Sequence, residues 1–88
     1  MTNKNIEIYT ASYCPFCTKA KDLLDRKKLK YKEIDVEGND EARKMLAERS
    51  GGRKTIPQIF IDNKHIGGCD ELYELEITGE LDELLKLV

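Results

Sequence analysis

Hydrophobic and polar residues alternate near the start of the chain. Ile6, Ile8 and Thr10 alternate with Glu7 and Tyr9, and this two-residue period is typical of a strand with one side more buried than the other. The alternation stops within the next few residues, so we expect the strand to end there.

A helical spacing replaces the alternation from Pro15 onwards. Proline is favoured in the first turn of a helix, because the N–H that it lacks has no partner there. Small and apolar residues then recur at intervals of three and four, opposite a charged face. The recurring residues are Cys17, Ala20, Leu23 and Leu24. We interpret the basic cluster at 26–28 as an ordinary helix C-terminus, where positive charge is favoured.

The middle of the chain predicts a second strand and a second helix. The strand covers residues 31–36, whose isoleucine and valine face one way. After a turn, Asn39 or Asp40 is expected to cap the helix, which ends at the serine and two glycines of residues 50–52.

Two short strands and a last helical region complete the pattern. The strands are residues 58–62 and 65–66, and a glycine pair ends the second one. From Asp70 the leucine spacing is helical, Thr78-Gly79 interrupts it, and a final amphipathic turn or two follows. The predicted order is β-α-β-α-β-β-α in a single domain spanning residues 1–88, with a parallel first β-α-β unit.

Composition fits a small folded domain, because 40% of the 88 residues are hydrophobic. The net charge of -2, from 15 basic and 17 acidic residues, provides no basic field for nucleic acid or anionic lipid. No apolar run approaches the ~20 residues of a membrane-spanning helix, and the start has no apolar stretch behind a basic cluster. We therefore expect a cytoplasmic protein that binds neither nucleic acid nor membrane.

The closely spaced Cys14 and Cys17 are the main candidates for chemistry, since three cysteines are too few for a secreted disulfide scaffold. Cys14 lies near the N-cap of the first predicted helix, where unpaired N–H groups and the helix dipole favour an anion. Cysteines in such C-x-x-C positions have pKa values of roughly 3.5–7.5 instead of ~8.5, and the thiolate is the nucleophile in disulfide exchange. We expect Cys17, one turn further, to keep its proton longer and to act as the resolving thiol.

A metal site is the alternative interpretation of the cysteines. Cys14, Cys17, His65 and Cys69 are the residue types of a three-cysteine, one-histidine zinc site. A structural zinc domain generally needs the metal to fold, whereas this chain has enough periodic apolar sequence to build its own core. We therefore expect no metal, with His65 on a short strand and Cys69 as a buried small residue.

Three motifs in register resemble the glutaredoxin family. They are S-Y-C-P-F-C at 12–17, T-I-P-Q-I-F-I at 55–61 and I-G-G-C-D-E-L at 66–72, and the match covers nearly the whole chain. The chain is most similar to short bacterial-type dithiol members with a C-P-Y-C or C-P-F-C site. The resemblance implies a thioredoxin fold, an α/β fold with a four-stranded mixed sheet flanked by helices. It also implies a cis Ile56-Pro57 bond that places the Ile56 backbone opposite Cys14.

The resemblance further implies a glutathione site built from three loops. Cys14 would bond to the glutathione sulfur, and Thr55-Ile56 would pair with the backbone of the cysteinyl unit. The helix start at residues 68–70 would hold the γ-glutamyl carboxylate, with Asp70 meeting the ammonium, and Arg53 or Gln58 would reach the glycyl carboxylate. The expected glutathione-binding residues are Tyr13, Phe16, Arg53, Thr55, Ile56, Pro57, Gln58, Gly68, Cys69 and Asp70.

One position departs from the family pattern. Many glutaredoxins carry a lysine three residues before the nucleophilic cysteine, and here that position is Ala11. The missing positive charge predicts a less stabilised thiolate or weaker glutathione binding, unless Arg53 or Lys54 compensates.

These observations predict a monomeric, glutathione-dependent thiol–disulfide oxidoreductase. Glutathione is expected as co-substrate, and glutathionylated or disulfide-containing proteins as substrates, with ribonucleotide reductase suggested by the family resemblance. A thioredoxin-like electron donor reduced by a flavin reductase is the alternative, because it would share the fold without needing the pocket at residues 68–70.

Overall fold

The computed structural model describes residues 4–86, and its elements follow the predicted order with one addition at the end. The strands are β1 (Ile6–Thr10), β2 (Lys32–Asp35), β3 (Gln58–Ile61) and β4 (Lys64–Gly67). The helices are α1 (Pro15–Arg26), α2 (Asp40–Arg49), α3 (Cys69–Thr78) and α4 (Glu80–Leu84). The addition is α4, because Gly79 adopts φ +83° and divides the last helical region in two. The ends of the predicted domain, residues 1–3 and 87–88, lie outside the described residues.

The four strands form one mixed sheet in the order β2-β1-β3-β4. β1 pairs in parallel with β2, with Ile8 opposite Glu33, whereas the β1–β3 and β3–β4 pairs are antiparallel. α1 connects the two parallel strands, as the sequence predicts. The expected four-stranded mixed sheet flanked by helices is confirmed. Within residues 4–86, no helix combines the length and the apolar character needed to cross a membrane.

Helices cover both faces of this sheet. Ile6 and Ile8 lie in a core cluster with residues of α1, α3 and α4, in agreement with the predicted buried side of β1. Tyr9, on the opposite side of β1, is also fully buried, in a second cluster that contains Phe60 and Leu46 of α2. β1 is therefore buried on both sides, because α2 covers the face that alternation alone would leave more open to water.

Three segments of chain converge at one end of the molecule. Cys14 is the N-cap of α1, and Pro15 is the first helical residue, as expected. The segment that precedes β3 reaches the same region, because Ile56 lies against Cys14. Gly68 immediately precedes α3, whose first turn faces the same cavity as residues 53–58.

The basic cluster at the end of α1 also makes a tertiary contact. Lys27 Nζ lies 2.8 Å from the Glu76 carboxylate and 2.5 Å from the Asp82 carboxylate. Burial would lower the pKa of Lys27, but hydrogen bonds with the two carboxylates outweigh it and the pKa is raised. Lys27 thus ties α1 to α3 and α4, beyond the helix-dipole role that its sequence position suggests.

Candidate active site

Cys14 is held at the start of α1 with its sulfur facing backbone groups. Its φ of -101° and ψ of 106° are extended, and the sulfur accepts a hydrogen bond from the Cys17 N–H at 3.2 Å. The Cys14 thiol also lies 3.7 Å from the Ile56 carbonyl oxygen, to which it donates. The Cys14 sulfur therefore caps α1 and satisfies one of the unpaired N–H groups of its first turn. The Cys14 residue is 8% exposed, so the nucleophile predicted from the sequence presents only a small surface.

Cys17 lies deeper in the protein than Cys14, with 1% exposure. Burial raises the pKa of the Cys17 thiol to about 12, and its hydrogen bond with Cys14 adds to this effect. Cys17 therefore keeps its proton at neutral pH, as expected for the second cysteine of the pair. All three cysteines are free thiols in this structure.

The Ile56-Pro57 peptide bond is cis, as the family resemblance implies. This bond immediately precedes β3, and the Ile56 carbonyl oxygen accepts a hydrogen bond from the Cys14 thiol. The contact joins residues that are 42 positions apart in the sequence. The segment before β3 and the start of α1 therefore form one site.

A cavity of about 170 Å³ lies between the first turn of α1, the segment before β3 and the first turn of α3. Nine of the ten residues expected to bind glutathione line it, and their binding role stays a prediction. The lining residues are Phe16, Arg53, Thr55, Ile56, Pro57, Gln58, Gly68, Cys69, Asp70 and Glu71. The tenth expected residue, Tyr13, is absent from the lining, and Glu71 is present without having been predicted.

Tyr13 and Phe16 both expose large aromatic surfaces beside the reactive cysteine. Tyr13 is 62% exposed and Phe16 is 58% exposed. The Tyr13 hydroxyl accepts a hydrogen bond from Arg43 Nη2 at 3.3 Å, which directs it towards α2. The structure therefore places Phe16 at the cavity, whereas the Tyr13 hydroxyl contacts α2.

Gln58 forms a buried polar link within the cavity wall. Its Nε2 donates to the Thr55 hydroxyl at 3.1 Å, and its Oε1 lies 2.6 Å from His65 Nε2. Burial lowers the pKa of His65, and the nearby Arg53 charge acts in the same direction. Because both ends of its amide are engaged, Gln58 is less suited than Arg53 to bind a ligand carboxylate.

The zinc alternative requires His65 to join the three cysteines around one ion. His65 instead contacts Gln58 and lies against the Phe60 ring, with 5.1 Å between ring centroids. Across residues 4–86, no group of three or more histidine, cysteine, aspartate or glutamate residues is arranged to hold a metal ion. The geometry therefore gives the zinc interpretation no support.

Glu71 is the residue at the cavity that the sequence interpretation missed. Its Oε1 accepts hydrogen bonds from the Gly68 N–H at 3.1 Å and from Arg53 Nη1 at 3.2 Å. Hydrogen bonds from the Gly68 N–H, then from the N–H of Glu71 itself and from Arg53, lower the pKa of the Glu71 carboxyl against the opposing effect of burial. Glutamate three residues after a helix N-cap is the usual capping-box position, and this sequence signal could have identified it.

Ala11 occupies a buried position, with 5% exposure, in the cluster that contains Tyr9. Arg53, one of the two cations expected to compensate for the missing lysine, lies against the Glu71 carboxylate. Its charge is therefore partly neutralised where a ligand carboxylate is expected.

Comparison with known proteins agrees with this geometry. The family model described as Glutaredoxin matches residues 6–66, a range that includes Cys14, Cys17 and the segment before β3. The chain is 52% identical to glutaredoxin 3 of Escherichia coli over 82 residues, covering 93% of this chain and 98% of that protein. The solution structure of a Brucella melitensis glutaredoxin matches with a TM-score of 0.80 at 52% identity, covering 93% of this chain and 88% of that one. The crystal structure of a buckwheat glutaredoxin–glutathione complex matches with a TM-score of 0.84 at 30% identity, covering 97% of this chain and 79% of that one.

Proposed function

This chain belongs to the glutaredoxin family and is a thiol–disulfide oxidoreductase of the thioredoxin fold, and on that premise we propose that it uses glutathione to reduce glutathionylated proteins and protein disulfides. The observation that carries the proposal is the position of Cys14. Its sulfur caps α1, receives the Cys17 N–H at 3.2 Å and contacts Ile56, a residue of the cavity wall. The sulfur proposed as the nucleophile thus lies beside a cavity that is lined by the Thr55-Ile56 backbone and by the cationic Arg53.

In the proposed reaction, the Cys14 thiolate attacks the glutathionyl sulfur of a mixed disulfide. The old S–S bond breaks, the substrate protein leaves as a thiolate that takes up a proton, and Cys14 becomes glutathionylated. A second glutathione thiolate then attacks the glutathionyl sulfur, which yields glutathione disulfide and restores the Cys14 thiolate. Overall, one mixed disulfide and one free glutathione give one protein thiol and one glutathione disulfide, so one disulfide is exchanged for another.

Protein disulfides require the second cysteine in this proposal. Cys14 attacks first and forms a mixed disulfide with the substrate, and Cys17 then attacks the Cys14 sulfur, which releases the reduced substrate and leaves a Cys14–Cys17 disulfide. Two glutathione molecules reduce this disulfide and leave as glutathione disulfide. Burial is the largest cause of the raised pKa of Cys17, and the hydrogen bond with Cys14 is the second, which changes once Cys14 is part of a disulfide. Formation of the mixed disulfide therefore removes one of the causes that raise the pKa of Cys17, while burial, the largest cause, remains.

The proposed glutathione position follows from the cavity wall. The Thr55-Ile56 backbone pairs with the cysteinyl unit, and the first-turn N–H groups of Cys69 and Asp70 hold the γ-glutamyl carboxylate. Asp70 meets the ammonium, and Arg53 meets the glycyl carboxylate. The buckwheat glutaredoxin–glutathione complex supports this placement by similarity of fold.

The test is reduction of a glutathionylated peptide, with glutathione disulfide formation measured through glutathione reductase and NADPH. Cys14→Ser should abolish the activity, whereas Cys17→Ser should retain it and lose only the reduction of protein disulfides. Full activity of Cys14→Ser would refute the assigned roles. Reduction by a flavin-dependent thioredoxin reductase but not by glutathione would support the thioredoxin-like alternative.

The proposal also includes a cytoplasmic location and a monomeric state, with ribonucleotide reductase among the candidate substrates. A close pair of free cysteines suits a reducing compartment. Cell fractionation and size-exclusion chromatography test the location and the oligomeric state. Reduction of purified, oxidised ribonucleotide reductase by the protein with glutathione tests the candidate substrate.

A further inference from the structure

An ion pair crosses one side of the cavity between two segments that are far apart in the sequence. Arg53, in the segment before β3, places Nη1 3.2 Å from Glu71 Oε1 in the first turn of α3. Both residues line the cavity, and their side chains are 47% and 41% exposed. The pair is therefore accessible to a ligand that enters the cavity.

The fold fixes the position of the Glu71 carboxylate. The same Oε1 accepts the Gly68 N–H at 3.1 Å, so the side chain folds back over the start of α3. The Glu71 side chain can lie here only because residue 67 is a glycine. A Cβ atom on residue 67 would lie 2.7 Å from Glu71 Oε1 and 2.9 Å from the Cβ of Glu71. The Glu71 carboxylate is thus held against the backbone at the start of α3, whereas the Arg53 side chain is 47% exposed.

The guanidinium that contacts Glu71 is also the group proposed to bind the glycyl carboxylate of glutathione. A ligand carboxylate that approached Arg53 beside Glu71 would meet a like charge at close range. The ion pair between Arg53 and the ligand carboxylate is therefore weak until the Arg53 side chain turns away from Glu71. The Gly68 N–H remains bound to Glu71 during this exchange, so the start of α3 keeps its cap.

We propose that Glu71 is a specificity-determining residue that competes with the glycyl carboxylate of glutathione for Arg53. This inference rests on the proposed function. It assigns to Glu71 the role of weakening glutathione binding by holding the Arg53 guanidinium. Removing the competing carboxylate should strengthen binding by about two- to fivefold, the range that corresponds to a half-exposed ion pair. The benefit should be confined to ligands that carry the glycyl carboxylate.

The test measures KM and kcat for reduction of a glutathionylated peptide by wild type, Glu71→Gln, Arg53→Gln and the double variant. Glutamine at 71 keeps an oxygen for the Gly68 N–H, so the cap survives. We expect Glu71→Gln to lower KM about two- to fivefold with kcat unchanged, and to have no such effect when Arg53 is already glutamine. Glu74→Gln, one turn further along α3, is the matched control for the loss of one negative charge.

A second substrate isolates the carboxylate in question. In the mixed disulfide of the same peptide with glutathione glycyl ethyl ester, that group is neutral, and the gain from Glu71→Gln should disappear. A gain that persists with the ester, or in the Arg53→Gln background, would identify a general charge effect and overturn the inference. An unchanged or increased KM in Glu71→Gln would overturn it as well. Failure of the wild type to reduce the glutathionylated peptide at all would instead refute the proposed function, and the inference with it.

Discussion

Replacing Cys14 with serine isolates the thiol of Cys17, and we expect this thiol to resist alkylation in the folded protein. Cys17 is 1% exposed, and burial is the largest cause of its raised pKa. The hydrogen bond with Cys14, which also raises the pKa, is lost in the variant. The perturbation therefore leaves burial as the main barrier to ionisation of Cys17.

The size of the effect follows from the pKa values. In the native protein the pKa of Cys17 rises from 9.0 to about 12. At pH 8 a thiol with a pKa of 9.0 is about one-tenth ionised, whereas one with a pKa of about 12 is ionised to about one part in ten thousand. The thiolate fraction of the native thiol is thus about a thousandfold smaller, and we expect at least about a hundredfold protection in Cys14→Ser, where burial remains.

The assay follows alkylation of Cys17 by iodoacetamide at pH 8 with peptide mass spectrometry, and the same variant in urea gives the unprotected rate. The pH profile separates ionisation from access, because the folded-state rate should rise about tenfold per pH unit from pH 8 to 10 without levelling. A rate that levels near pH 9 would show a normal thiol behind a steric barrier. Equal rates in the folded protein and in urea would refute the burial argument entirely.

Four further changes test other parts of the structure. Lys27→Met should lower the free energy of unfolding in urea by about 1–3 kcal/mol, because it leaves two partly buried carboxylates without their cation. Gln58→Leu should cost about 1–3 kcal/mol in the same measurement, because both of its polar partners lose a hydrogen bond inside the cavity wall. Gly68→Ala should raise KM for a glutathionylated peptide, since its Cβ would lie 3.1 Å from a backbone carbonyl oxygen of the cavity wall; an unchanged KM would contradict this. Hydrogen bonds from Thr10 on β1 and then from Lys21 on α1 lower the pKa of Glu33. The ionised Glu33 carboxylate therefore stabilises the fold fully above pH 4.5, its ordinary pKa, and this stabilisation is lost as the pH falls through the lowered pKa of the folded state. Glu33→Gln should therefore flatten the acid limb of the stability curve, and an unaltered limb would refute the assignment.

The sequence predicts the strands and helices well where their signals are local. Pro15 and the spacing that follows it identify α1, and the side chain of Asn39 caps α2 as expected. The burial of Tyr9 could not be predicted in the same way, because it depends on how α2 packs over the sheet. The tie between Lys27 and the last two helices is likewise invisible locally, since its partners lie about fifty residues away along the chain.

In the candidate site, too, features with a local sequence signal were predictable and features that depend on tertiary contacts were not. The proposed roles of Cys14 and Cys17 rest on their three-residue spacing at a helix start, which is a local signal. The contact between Cys14 and Ile56 came only from family resemblance, because no pattern in the sequence joins positions 42 residues apart.

Side-chain direction is harder still to predict than proximity. The glutathione-binding role of Tyr13 stays a prediction, and the sequence gives no sign that its hydroxyl accepts a hydrogen bond from Arg43 on α2. Glu71 was overlooked, yet it lies at the cavity and holds Arg53. Motifs specify which backbone segments meet at the site, but the partner that each charged or aromatic side chain selects depends on the particular residues on neighbouring elements. Proteins that share these motifs can therefore differ in ligand affinity through side-chain pairs such as Arg53 and Glu71. We expect substitutions at Glu71 and Arg53 to alter ligand preference and to leave the chemistry of Cys14 intact.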